Sequence, residues 1–292
     1  MTRQWTILWY ACAILCITGT YVESLVLRPR IIGGTDAAEG EVPFYSAWSD
    51  NPQQNLQCGG SLISEEWFLT AGMCTRDRSQ VNRDEKSNQT VSAERDSDSF
   101  SRILLTPDGV VNTTGFVLHK DFNVTGQLEN DIALVRLERK VKLPNNGQFA
   151  KIYSGEVHVN DMLRMAGMGG TYKGSKERSS TLKTFPITIA EPAHCRKFTS
   201  IYDDANGSRM CAAIIDERGA CDGDTGGPLY KEVTDSSPVL VGITSITGGF
   251  GPDNCAPKDG AVYFTHASHY LDWISQTTGI PKDQLVDNSQ EN

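Results

Sequence analysis

Cys221-Asp222-Gly223-Asp224-Thr225-Gly226-Gly227-Pro228-Leu229 is the stretch on which the reading of this 292-residue chain turns. Its glycines, aspartates and proline punctuate the backbone and do not continue a strand. Just beyond it, 239–246 is an apolar run of strand length, rich in branched residues. Working outward, 61–63, 67–69, 132–137 and 163–166 have the same character, with Gly, Pro, Asn and Asp clusters between them. Only 267–277 shows helical spacing, where Tyr270, Leu271, Trp273 and Ile274 form one apolar side. Many short strands and one terminal helix predict an all-β barrel or sandwich. No repeat of fixed period runs through the chain.

The start of the chain reads as a secretory signal over residues 1–24. Arg3 supplies the positive end, 5–17 the apolar stretch, and Val22-Glu23-Ser24 a cleavage site. The rival reading is an uncleaved anchor, but Thr18, Gly19 and Thr20 soften the end of the apolar run. Residues 25–30 then form a short propeptide. Without residues 1–30, 24 basic residues face 35 acidic ones, a net charge of −11. So acidic a chain does not bind nucleic acid or anionic membrane by bulk electrostatics. Sequons at Asn88, Asn112, Asn123 and Asn206 agree with a secreted, extracellular glycoprotein.

Cys12 and Cys16 leave with the signal, so six cysteines remain: Cys58, Cys74, Cys195, Cys211, Cys221 and Cys255. An even number in a secreted chain favours disulfides, and no CxxC or HxxxH spacing argues for a metal. Counting alone leaves about 15 pairings open, of which the sequential one is simplest. Residues 76–102 are dense in charge and poor in apolar residues, as in a solvated, glycan-bearing loop. A partner-binding insertion is the sharper reading of that loop. The polar tail, 278–292, is expected to be disordered from Lys282 onward.

Five blocks then occur in order. They are Arg30-Ile31-Ile32-Gly33-Gly34; Cys58-Gly59-Gly60-Ser61-Leu62-Ile63 followed by Leu69-Thr70-Ala71-Gly72-Met73-Cys74; Asp131-Ile132-Ala133-Leu134; the Cys221–Leu229 stretch; and Tyr270-Leu271-Asp272-Trp273-Ile274. The ordered set resembles the chymotrypsin/trypsin-like serine protease family over residues 31–277. The resemblance implies two packed antiparallel six-stranded β-barrels with a C-terminal helix and a cleft between the barrels. It also implies the bridges Cys58–Cys74, Cys195–Cys211 and Cys221–Cys255.

In that family a hydroxyl attacks, an imidazole moves its proton and a buried carboxylate orients the imidazole. The resemblance places Met73, Asp131 and Thr225 at those positions. Asp131 is able to orient. A thioether has no basic nitrogen, so Met73 cannot act as the base. Thr225 carries an extra methyl beside its oxygen, which restricts its rotamer and crowds the line of attack. None of the five histidines, at positions 119, 158, 194, 266 and 269, precedes a cysteine in the right block. Gly223 and Thr225 keep the backbone N–H pair of an oxyanion hole. Asp224 keeps the partner for an ammonium freed by cleavage at Arg30–Ile31. The resemblance places Gly219 at the pocket floor, where a trypsin-like enzyme has an acid. Ser245-Ile246-Thr247-Gly248 departs from the Ser-Trp-Gly substrate edge, so Ser245 and Thr247 are expected at an altered pocket.

These readings predict a secreted, monomeric, cofactor-free homologue that has lost peptidase activity and binds an extracellular protein, as an inhibitor or a cofactor. Similar proteins include invertebrate homologues that serve as cofactors for active proteases and plant-pathogen inhibitors of host glucanases. The alternatives are a weak endopeptidase with Thr225 as nucleophile and a decoy for protease inhibitors.

Overall fold

The structure is a computed structural model that describes residues 34–49, 58–75, 103–123, 127–170, 177–233, 236–248 and 255–287. Arg30, Ile31, Asn88, the 76–102 loop and the leader therefore lie outside the described residues. After the short β1 (Thr35–Asp36), six strands close a barrel. They are β2 (Tyr45–Ser49), β3 (Cys58–Leu62), β4 (Trp67–Thr70), β5 (Ile103–Thr106), β6 (Gly109–Leu118) and β7 (Ala133–Leu137). The spatial order is β2-β3-β4-β7-β6-β5, and β5 pairs back with β2. Closure leaves this barrel no open edge.

The second half contains β8 (Met162–Gly167), β9 (Lys183–Thr188), β10 (Arg209–Ala213), β11 (Pro228–Lys231), β12 (Val239–Gly248) and β13 (Ala261–His266). Here the structure differs from two equal barrels. The strands form a seven-stranded antiparallel sheet, β1-β9-β8-β11-β12-β13-β10, with β1 added at one edge. The continuation of β9 meets β10 in a single bridge, Ile189 to Ala212, and in the Ala190 N–H on the Cys211 carbonyl. The reason is local. The ladder of β9 against β8 ends at Thr188, and the chain turns into the helical turn α1 (Pro192–Cys195), where Pro192 has no N–H to give a ladder.

The expected C-terminal helix is present as a 3₁₀ turn, Ala267–Tyr270, running into α2 (Leu271–Thr278). Gly279, at φ 74°, ends it in the left-handed conformation that glycine adopts freely. Over 282–287 the tail is not disordered as expected. Residues Lys282–Leu285 form α3, Leu285 is buried in the main core, and Val286 bridges to Ile152. One leucine in a polar stretch is a faint sequence signal, yet it is enough to dock the turn.

All three implied disulfides are formed: Cys58–Cys74, Cys195–Cys211 and Cys221–Cys255. The principal core is shared. Trp48, Phe68, Leu69 and Leu104 of the barrel pack in one cluster with Tyr230, Leu240 and Ile243 of the sheet and with Tyr270 and Ile274.

Candidate functional site

Where barrel and sheet meet, the glycines set the approach. A β-carbon on Gly226 would stand 2.3 Å from both the Gly59 carbonyl and Thr70 Oγ1, and its φ is 85°. Only glycine fits there. The close approach lets the Gly59 N–H donate to the Thr225 carbonyl at 2.8 Å, and the Cys74 sulfur lies 3.7 Å from the same oxygen. Thr225 and the turn that carries Met73 are thereby brought together across 150 residues of chain, roughly half its length.

Asp131 is fully buried just before β7. Its Oδ1 accepts the Met73 N–H at 2.8 Å and its Oδ2 accepts the Ser245 hydroxyl at 2.5 Å. The Thr265 hydroxyl donates to its backbone carbonyl at 2.8 Å. Gly72 permits this closeness, since a β-carbon there would sit 2.7 Å from Leu118 and 3.3 Å from the carboxylate. Burial pushes the Asp131 carboxyl up from its ordinary value. The Ser245, Met73 and Gly72 hydrogen bonds and the Arg209 charge oppose that push. Arg209 is itself buried and donates to the Gln127 and Leu128 carbonyls.

Met73 belongs to the 3₁₀ turn Gly72–Thr75 and is 40% exposed. Its backbone faces the aspartate while much of the side chain meets solvent. The five histidines are all engaged elsewhere. His119 packs edge-on against Tyr270 and Trp273. His158 faces Glu156, and His194 bonds the Gly260 carbonyl. His266 lies between the Gly207 carbonyl and the Ser268 hydroxyl, and His269 rests on Tyr270. None of these contacts involves Asp131 or Thr225.

Ser245, expected at the pocket, sits at an irregularity of β12. The β12–β13 register slips between Thr244 and Ile246, so Ser245 is the extra residue of a bulge. Its side chain turns inward to Asp131 and is buried. A bulge re-aims a side chain and bends the strand locally. Ile246 is sent outward instead and is 38% exposed. Thr247 follows on the part of β12 that pairs with Val262 of β13 but not with β11. Gly219 is buried; a β-carbon there would meet Ile214 at 3.5 Å, Val262 at 3.7 Å and Ala256 at 3.9 Å. Position 219 is thus ringed by aliphatic side chains.

The Gly223–Thr225 turn is ordered by Asp224. The carboxylate is fully buried and accepts the Gly169 N–H at 2.8 Å and the Cys221 N–H at 2.9 Å. Burial lifts its carboxyl to about 6, against the pull of those bonds and of the Arg178 charge. Among the described residues, the N–H groups of Gly223 and Thr225 have no acceptor, so both are available to one.

Three sequon asparagines are described. The side-chain amides of Asn112 and Asn123 donate to Glu138 and Glu129. Asn206 is more committed, since its amide both accepts from Val157 N–H and donates to the Val157 carbonyl. Sequence reasoning missed Arg178 and the outward turn of Ile246. No motif flags an arginine in a loop, and a bulge leaves no mark on hydrophobic alternation. Among the described residues no cluster of three or more His, Cys, Asp or Glu could hold a metal, and no helix is long and apolar enough to cross a membrane.

Fold and site together define a disulfide-stapled β protein whose candidate site lies at the seam of two sheets. A family model for trypsin matches residues 31–274. Serine protease 1 of Drosophila melanogaster is 31% identical over 265 residues, covering 87% of this chain and 88% of that protein. Brachyurin of Leptuca pugilator is 28% identical over 259 residues, covering 86% and 99%. Among solved structures, neuropsin, described as a serine protease expressed in the limbic system of mouse brain, superposes with a TM-score of 0.65. It is 21% identical and covers 84% of this chain and 98% of that one, a likeness of fold alone. The chain belongs to the trypsin family.

Proposed function

We propose that this trypsin-family chain is a non-peptidase that works outside the cell by binding a protein partner, as an inhibitor or a cofactor. The observation that supports this most is the 2.8 Å bond from the Met73 N–H to the buried Asp131. The residue seated beside the orienting carboxylate brings a thioether, which cannot take a proton from a hydroxyl at neutral pH. Thr225 then has no base, and its alkoxide is too costly to form unaided. Loss of one triad member removes several powers of ten from kcat, and what survives is of order 10³–10⁴ over water from hole and binding contacts. Set against the slowness of uncatalysed peptide hydrolysis, that remnant supports no working peptidase. A rigid, stapled scaffold still presents loops and the outward Met73 and Ile246 for recognition.

The test compares purified protein with its Met73→His/Thr225→Ser double variant on a broad panel of peptide substrates. The native protein is expected to be silent and the double variant to cleave. Turnover by the native protein that vanishes in Thr225→Ala would overturn the reading in favour of a threonine-based endopeptidase. Silence of both proteins places the loss at the ringed Gly219 position as well as in the triad.

A further inference from the structure

Asn112 and Asn206 each begin a sequon, and they use their side-chain amides in opposite ways. Asn206 lies at the surface, but its amide is turned onto the chain. Oδ1 accepts the Val157 N–H at 2.8 Å, and Nδ2 donates to the Val157 carbonyl at 2.9 Å. Val157 is buried in the core of the second half. The amide cannot be turned over, since that would set oxygen against oxygen. A planar amide meets the N–H and C=O of a single residue along one edge. That edge is Oδ1 together with the Nδ2 hydrogen on the same side as Oδ1.

A sugar on Nδ2 makes the amide secondary. Like a peptide bond, a secondary amide is planar and trans. The new substituent then lies on the side of the oxygen, and the remaining hydrogen points away from it. The sugar therefore takes the place of the hydrogen that the Val157 carbonyl accepts. The loop is also held against swinging the amide outward. Asp204 Oδ1 accepts the N–H groups of Asn206 and Gly207 at 2.7 and 3.0 Å. The Ser208 carbonyl accepts the His266 N–H at 3.0 Å, and the His266 ring lies 3.1 Å from the Gly207 carbonyl. Every residue of this sequon is fastened.

Asn112 stands exposed on β6, opposite Ile103 of β5, and Thr114 of its sequon is exposed too. Its Nδ2 donates to Glu138 at 2.7 Å, a contact between two exposed side chains that water can replace.

We propose that Asn112 carries a glycan in the secreted protein, and that Asn206 is a structural asparagine that stays bare and staples the 203–208 loop to Val157. At Asn112 a bond forms from Nδ2 to the anomeric carbon of a lipid-linked oligosaccharide. The bond from that carbon to the diphosphate breaks, the lipid diphosphate leaves, and Nδ2 gives up one proton. The glycan at Asn112 rests on passage through the secretory route, and the staple at Asn206 rests on the fold alone.

The test recovers the full chain secreted by a eukaryotic cell. Peptide-N-glycosidase in heavy-oxygen water turns each occupied asparagine into a labelled aspartate, read by peptide mass. Label is expected at position 112 and none at 206. An unlabelled Asn112 overturns the glycan assignment, and a labelled Asn206 in secreted protein overturns the staple. A bare Asn206 could also reflect a sequon that the transferase passes over, so thermal unfolding separates the two causes. Asn206→Asp keeps the acceptor and loses the donor, and should lower the midpoint by about 3 °C or more. Asn112→Gln should match enzymatically deglycosylated protein within about 1 °C, as a surface change does. An Asn206→Asp variant that melts with the parent would refute the staple even if position 206 is bare.

Discussion

Both carboxylate oxygens of Asp131 are engaged by the chain itself, Oδ1 by the Met73 N–H and Oδ2 by the Ser245 hydroxyl. A donor to a buried carboxylate contributes about 1.5–3 kcal/mol, and its loss leaves the acceptor desolvated and unmatched. Ser245→Ala should therefore lower the unfolding free energy by about 2 kcal/mol in urea titrations near pH 7. A change within experimental error would mean that the hydroxyl is incidental. Asp224 carries the second residue-scale expectation. Burial holds its proton in the fold up to about pH 6, while the unfolded side chain releases it near 3.8. Below the lower value both states are protonated, and the fold suffers no penalty from this group. As the pH rises between the two values the unfolded chain ionises first, so stability falls. The full loss, about 3 kcal/mol, is present above the upper value. Asp224→Asn should flatten the decline in stability between pH 4 and 6, and an unchanged slope would show that the carboxyl titrates normally. Asp131, Thr225 and Asp224 were legible in the sequence, because blocks of fixed composition surround them. The inward turn of Ser245 was not legible, since the bulge that produces it depends on pairing with β13.

At the scale of elements, the strands were legible as short apolar runs, as in β4, β7, β8 and β12. The helix α2 was legible from Tyr270, Leu271, Trp273 and Ile274 on one side. Sheet closure was not, because periodicity within a strand says nothing about how the last strand meets the first. The C-terminal turn was not legible either. Lys282–Leu285 reads as a polar tail, and only tertiary contact gives it structure. Leu285 enters the main core, and the Ile152 N–H donates to its carbonyl at 2.7 Å. Leu285→Ala removes a buried aliphatic side chain from a site closed by neighbouring elements, at a cost of about 2–5 kcal/mol. The sign is checked by thermal unfolding, which should shift down by several degrees. An unchanged midpoint would return residues 282–287 to the tail that their composition suggests.

Across the whole molecule, the shared core decides how the two halves behave. Barrel residues Trp48, Phe68 and Leu104 and sheet residues Tyr230, Leu240 and Ile243 belong to one packed cluster with Ile274 of α2. Neither half can lose its strands without exposing apolar surface of the other, and the coupling favours a single transition. The disulfides act mainly on the unfolded chain. Cys58–Cys74 and Cys195–Cys211 each close a separation of 16 residues, and Cys221–Cys255 closes one of 34. Loop entropy assigns about 3 kcal/mol to each shorter bridge and about 4 kcal/mol to the longer. Two of the bridges also flank the seam, since Cys74 follows Met73 and Cys221 begins the Asp224 turn. A Cys221→Ala/Cys255→Ala variant should therefore lose more stability in urea than Cys58→Ala/Cys74→Ala, while unfolding in one step. Far-ultraviolet dichroism and tryptophan fluorescence should trace the same curve in both variants. Separated midpoints would mean that the barrel and the sheet unfold on their own, and that the core between them is contact without coupling.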